Sequence, residues 1–272
     1  MQASPTGKCL DGNKMNWHLQ EKGKAEMKYL LEVCVDSLES AIAAECGGAD
    51  RLELCANLVI GGTTPSVAFY QQVRQAVQIP IHILIRPRFG DFLYSLAEID
   101  RMQAEIQKLA EAGAKTFVIG ALTAAGELDE PALKKLMAAA PKARFALHRA
   151  FDMTENLEKA LYQAIDLGFS CILTSGGAAS ARQGAARLRH LQELASGRIE
   201  IMAGAGITAD NLAAVMAESK VSIYHLSGKK TRASAMRYRN LDVFMGLPGM
   251  SEYENYVTDA EEISKAVKIL KA

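Results

Sequence analysis

The chain has 272 residues, 49% of them apolar, which is enough for one large domain with a substantial core. Its 31 basic and 31 acidic residues cancel, so no net field draws it to nucleic acid or to an anionic membrane surface, and neither is expected as a partner. No apolar run approaches the ~20 residues that a membrane-spanning helix requires.

Residues 1–27 are mostly polar and show no periodicity. They read as a flexible leader or tail, with Met27 as an alternative start. Asp11, Lys14, Glu21 and Lys24 interrupt the apolar stretch that a secretory signal would need. The expected compartment is the cytoplasm, where Cys9, Cys34, Cys46, Cys55 and Cys171 are expected to be reduced.

From residue 28 to 272 a regular pattern takes over. Short β-branched runs predict eight strands: Tyr29–Val35, Arg51–Leu54, Ile81–Arg86, Thr116–Gly120, Phe145–Arg149, Cys171–Thr174, Ile199–Ala203 and Ser222–Leu226. Helical stripes at i, i+3, i+4 follow several of them. These are Leu38/Ala41/Ile42, Ile99/Met102/Ile106/Leu109, Leu157/Ala160/Leu161/Ala164 and Leu212/Val215/Met216, with Ile263/Ala266/Val267/Leu270 in the last helix. Asp36 with Glu39 has the spacing of a capping box, and Thr208 stands where the seventh helix should begin. Gly47-Gly48, Gly113, Gly168 and Gly197 sit where helices must stop. Eight β-then-α units predict an α/β fold of one closed TIM-type (β/α)₈ barrel, with a doubly wound sheet as the alternative.

Strand parity favours the barrel. Leu31, Val33 and Val35 alternate with Glu32, Cys34 and Asp36; Leu52 and Leu54 alternate with Glu53 and Cys55; Ile81, Ile83 and Ile85 alternate with His82, Leu84 and Arg86. In the eighth strand Val221, Ile223, His225 and Ser227 share a parity that turns polar only at its end. Apolar residues facing helices and polar ones facing inward suit a barrel interior; strands of an open sheet covered on both faces would be apolar throughout.

Four constellations could carry chemistry. Cys34 and Cys55 end neighbouring strands, where two soft thiolates could hold Cu(I), with Glu32 and Glu53 one step below. With no CxxC and no His at ligand spacing, spacing alone favours the reading of small core residues that fill the interior. The second set is Arg86, Arg88 and Asp91, then His148, Arg149 and Asp152, then His225 and Ser227, all converging at strand ends. Arg86 with Arg88 or Arg149 could hold an anion, and His148, Asp152, Glu53 or His225 could serve acid–base chemistry if the protein is an enzyme. The third is the glycine set Ser175-Gly176-Gly177, Gly204-Ala205-Gly206 and Ser227-Gly228, positioned as barrels place anion-binding loops. The fourth is the segment 229–258, with Lys229, Lys230, Arg232, Arg237 and Arg239. It is long for a βα connection and reads as a lid or an oligomer contact.

The motifs LLEVCVDS, GGADRLELC, GGTTPS, IRPRFGDFLYS, HRAFDM, LTSGG, IMAGAGIT and MRYRN occur in this order. Together they resemble the CutC family of copper homeostasis proteins, from about residue 28 to about residue 258. Phe89 stands where the family motif often has glycine. The resemblance implies a TIM-type barrel in the cytoplasm, with Cu(I) bound by the cysteines of the EVC and ELC motifs, which are Cys34 and Cys55 here. No organic cofactor is implied. The expected partner is a copper ion or, on the alternative reading of a barrel enzyme, a small phosphorylated or carboxylated molecule at the same rim. A homo-oligomer is expected, and a scaffold role is the third reading.

Overall fold

The computed structural model describes residues 29–246 and 249–272; the expected leader, residues 1–27, lies outside them. Eight parallel strands close into a barrel in sequence order. They are β1 (Leu30–Val35), β2 (Arg51–Leu54), β3 (Ile81–Leu84), β4 (Thr116–Ile119), β5 (Arg144–Leu147), β6 (Cys171–Thr174), β7 (Glu200–Ala203) and β8 (Ile223–Leu226). β8 pairs with β1 through Glu32↔His225 and Val33↔Leu226, which closes the ring and removes the doubly wound alternative.

Eight helices surround the ring: α1 (Leu38–Cys46), α2 (Val67–Ala76), α3 (Leu96–Glu111), α4 (Glu130–Ala138), α5 (Leu157–Asp166), α6 (Ala185–Ala195), α7 (Ala209–Ser219) and α8 (Ala260–Lys271). In α3 the predicted stripe Ile99, Met102, Ile106 and Leu109 is buried, and Ser95 with Glu98 forms a capping box. The α1 cap differs from expectation. Ser37 is the N-cap, and its hydroxyl accepts from the Ser40 N–H at 3.1 Å. Asp36 keeps its strand parity and accepts instead from the Leu58 N–H at 3.0 Å.

The parity argument holds across the barrel. Leu31, Val33, Leu52, Leu54, Ile83 and Ile85 belong to the large apolar layer between strands and helices. The interior is a smaller cluster of Cys34, Cys55, Leu84, Val118, Ala146, Cys171, Leu173, Met202 and Ile223. β3 and β5 end earlier than their sequences suggest. Arg86 lies past β3, and His148 is the N-cap of a short 3₁₀ turn, Arg149–Met153, because its Nδ1 accepts from the Ala150 N–H at 3.1 Å.

The segment after β8 is not an open loop. β9 (Lys229–Ala233) and β10 (Glu254–Thr258) form an antiparallel ribbon, Thr258↔Lys229 to Glu254↔Ala233, which leads into α8. The Thr258 N–H donates to Ser40 Oγ at 3.1 Å, tying the ribbon's base to α1. Lys230 pairs with Asp259 at 3.0 Å, Lys229 lies over the Tyr256 ring and Arg239 over Tyr253. Cys34, Cys55 and Cys171 are free and buried. Cys46 stands at the exposed C-terminal end of α1.

Candidate functional site

The interior is divided. β8, β1, β2 and the start of β3 contribute His225, Glu32, Cys34, Arg51, Glu53, Cys55 and His82; the remaining strands contribute mostly apolar groups. Glu32 is fully buried at the centre of the polar half. Its carboxylate accepts from Arg51 Nε at 2.6 Å, and His225 Nδ1 lies 2.9 Å from its other oxygen. His82 Nδ1 stands 2.9 Å from Oε2, the oxygen that Arg51 meets, without hydrogen-bond alignment. Burial alone would raise the Glu32 pKa, but Arg51, His225 and His82 together hold it well below the usual carboxylate range. Burial alone would also discharge His225; the adjoining Cys34 thiol, Glu32 and Glu53 instead raise its pKa well above 6.5. Arg51 and His82 were not singled out as site residues from sequence, although both share the inward parity of Glu53 and Leu84.

The thiols are staggered rather than level. Cys34 stands opposite Glu53, so Cys55 lies two residues nearer the mouth than a level pairing would place it. Cys34 retains 9% exposure and Cys55 none. Cys34 Sγ donates to the Leu226 carbonyl at 3.7 Å, and Cys55 Sγ to Glu53 Oε2 at 3.5 Å. Burial, reinforced by Glu53 and Cys34, pushes the Cys55 pKa well above 9.0, so it is a neutral thiol. The loop over Cys55 includes Gly62 at φ +86°, a left-handed conformation that favours glycine; a Cβ there would stand 2.7 Å from Leu84 Cδ2 and 3.5 Å from Cys55 Sγ. Among the described residues, no group of three or more His, Cys, Asp or Glu is arranged around a point where a metal ion would sit. The acidic and basic groups face one another instead.

The cationic set has several fates. Arg88 uses all five N–H groups: Glu98, Phe89 O, Asp91 O, Asp91 Oδ1 and Leu93 O accept from it. It organises the 89–95 loop and has no donor left for an external anion. Arg86 donates from Nη1 to the carbonyls of Ile60 and Gly62 and from Nη2 to that of Gly90, clamping two loops and leaving Nε unpaired. These bonds engage three of the five N–H groups of the guanidinium and leave Nε–H and one Nη2–H. Arg149, half-exposed, donates to Asp152 and Ser175.

Asp152 was expected to act as an acid or base, yet it fills the Ser175-Gly176-Gly177 loop. Its carboxylate accepts from the N–H groups of Ser175 and Gly177 and the Ser175 hydroxyl, each at 3.0 Å, from Thr174 Oγ1, and from Arg149 Nε. The anion cradle read from these glycines is therefore occupied by the chain's own carboxylate. Asp152→Ala is expected to cost about 3 kcal/mol, since charge-assisted hydrogen bonds contribute about 1.5–3 kcal/mol each and are not additive. Urea denaturation measures this.

At α7 the first amides are likewise engaged. Asn211 accepts from the Thr208 N–H and Glu262 of α8 from the Ala209 N–H. Gly204 packs beside Leu173 and the Cβ of His225, and Gly206 accepts from Asn211 Nδ2. The Ser227 carbonyl accepts from Thr258 Oγ1. Two clefts of about 440 and 350 Å³ run along α5, lined by residues such as Glu155, Asn156, Arg187 and Lys159. They lie outside the barrel interior and share none of its residues.

The CutC family matches residues 29–230. A copper homeostasis protein cutC homolog from Homo sapiens is 45% identical over 251 residues, covering 92% of each chain. A family protein CutC from Bacteroides thetaiotaomicron is 42% identical, covering 90% of this chain and 99% of its own. A solved CutC structure from Streptococcus agalactiae superposes with a TM-score of 0.70 at 32% identity, covering 73% of this chain and 98% of that one. A thiamine phosphate pyrophosphorylase from Pyrococcus furiosus, at 15% identity and a TM-score of 0.56, shares 90% of this chain and 96% of its own. That likeness shows the barrel alone.

Proposed function

The chain belongs to the CutC family of copper homeostasis proteins, and on that premise we propose that it binds Cu(I) through Cys34 and Cys55. The observation that carries this reading is the placement of two free inward thiols on adjacent strands near the barrel mouth. Thiolates are soft ligands suited to Cu(I). Two thiolates and one Cu(I) leave a net negative charge, and the raised pKa of His225 beside Cys34 supplies a compensating proton. Glu53, itself pushed upward by burial, is the acceptor beside Cys55 and the natural first receiver of its proton. Cys34, the more accessible thiol, would meet the ion first, and Cys55 would follow once the Gly62 loop yields.

The compartment of this reading is the cytoplasm, whose reducing poise keeps interior thiols reduced. Among the described residues no helix is long and apolar enough to cross a membrane. The exposed Met236, Tyr238, Leu241, Phe244 and Met245 beyond β9 support the expected homo-oligomer, with this segment as its contact. X-ray absorption of the Cu(I)-loaded protein tests the ligand set. Sulfur scatterers are expected in the wild type and should fall in Cys34→Ser; a nitrogen- and oxygen-only shell would overturn the reading.

A further inference from the structure

The mouth between β3 and β5 holds polar atoms that neither the fold nor the thiol pair uses. His148 is 5% exposed and Arg86 8%. His148 Nδ1 accepts the Ala150 N–H. Burial, with the Arg86 charge nearby, lowers the His148 pKa to about 3, so the ring is neutral and its proton sits on Nε2. Among the described residues this Nε2–H has no hydrogen-bond partner, and neither has Arg86 Nε; the Tyr94 hydroxyl lies close to the Arg86 guanidinium without hydrogen-bond alignment. The groups share one corner. Phe92 packs 4.9 Å from the His148 ring, and the Arg86 guanidinium lies 5.2 Å from the Phe92 ring. Gly120 makes room for the imidazole, since a Cβ there would stand 2.5 Å from His148 Cε1. Buried donors are rarely left unpaired in a native fold, and such a set points to a ligand that brings its own acceptors.

Charge selects the ligand class. One fixed cation with a neutral imidazole and a neutral hydroxyl matches a single negative charge. A phosphate dianion would need further amides or cations, but Asp152 already fills the loop after β6, and Asn211 and Glu262 meet the first amides of α7. We propose that this corner binds a small monocarboxylate, whose oxygens accept from Arg86 Nε, His148 Nε2 and Tyr94 Oη while Phe92 covers its apolar part. This site does not depend on the copper reading, because neither thiol touches the ligand.

Acetate is the probe, followed through the ¹⁵N resonance of His148 Nε2. A saturable shift with a Kd on the order of 1 mM is expected for so small a ligand. His148→Phe keeps the ring volume, removes the donor and should weaken binding about tenfold or more, a loss of one buried charge-assisted hydrogen bond; for this variant the Phe92 ring-proton shifts serve as readout. His148→Gln retains a donor and should stay within about threefold of wild type. Should His148→Phe not fold, Tyr94→Phe decides, with an expected weakening of about three- to fivefold. No saturation up to about 100 mM acetate, far above that Kd, would overturn the proposal. So would tighter binding of inorganic phosphate than of acetate, or equal acetate affinity in wild type and the deciding variant.

Discussion

Replacing Glu32 with alanine should destabilise the barrel by about 3–5 kcal/mol, the cost of leaving buried charge without its counter-charge. Glu32 is fully buried and faces Arg51, His225 and His82 at once. Its removal strands the Arg51 guanidinium, which is only 12% exposed, and takes away the partner of His225 Nδ1. The exposed Lys134–Glu130 pair on α4 provides the contrast: Glu130→Ala should change stability by about 0.5 kcal/mol or less, as solvent-screened helix pairs do. Urea midpoints of the two variants measure the difference.

The same cluster sets a pH window for stability. The Glu32 pKa is lowered on folding, so its contribution is present above the ordinary value of 4.5 and is lost as pH falls through the folded value. The His225 pKa is raised on folding, so its contribution is full below the ordinary 6.5 and is lost as pH rises through the folded value. The cluster should therefore contribute most between 4.5 and 6.5. Glu32→Ala should flatten both flanks of the stability profile; a variant profile parallel to wild type would assign the dependence to other groups.

The second large effect concerns copper. A thiol must lose its proton to ligate a metal, and Cys55 holds its proton well above 9.0 because burial and Glu53 disfavour the thiolate. Cu(I) affinity is accordingly expected to rise about tenfold per pH unit for each proton displaced. Between about pH 6 and pH 8 that is roughly a hundredfold per proton, and Cys55→Ser should have a slope shallower by one proton. A competition titration at each pH, in both proteins, reads the two slopes. His225→Asn should weaken binding about 10–100-fold, the range typical when a group supporting a metal ligand is removed.

Much of this was legible in sequence because strand parity is a local property. Glu32, Cys34, Glu53, Cys55 and His225 read as inward from period-two alternation, and all of them do face the interior. Closure and register were not legible. Glu32 and His225 are 193 residues apart and meet only because β8 pairs with β1. The stagger that sets Cys34 against Glu53, rather than against Cys55, depends on the strand offset. The fates of the charged rim residues were hidden for a similar reason. Arg88 and Asp152 carry chemistry-bearing side chains, but backbone carbonyls and amides of their own or neighbouring loops saturate them. Composition records side chains, whereas several of those partners are backbone groups set by loop conformation. Arg51, the first residue of the second predicted strand, points inward and neutralises Glu32.

The most direct test of the copper reading is an anaerobic titration of Cu(I) against a competing chelator, comparing wild type with Cys34→Ser/Cys55→Ser. The account predicts tight, stoichiometric binding in the wild type and its loss in the double variant, with the fold retained by circular dichroism. Binding that is weak in the wild type, or equal in the two proteins, would contradict it and leave the two thiols as packing residues of the barrel interior.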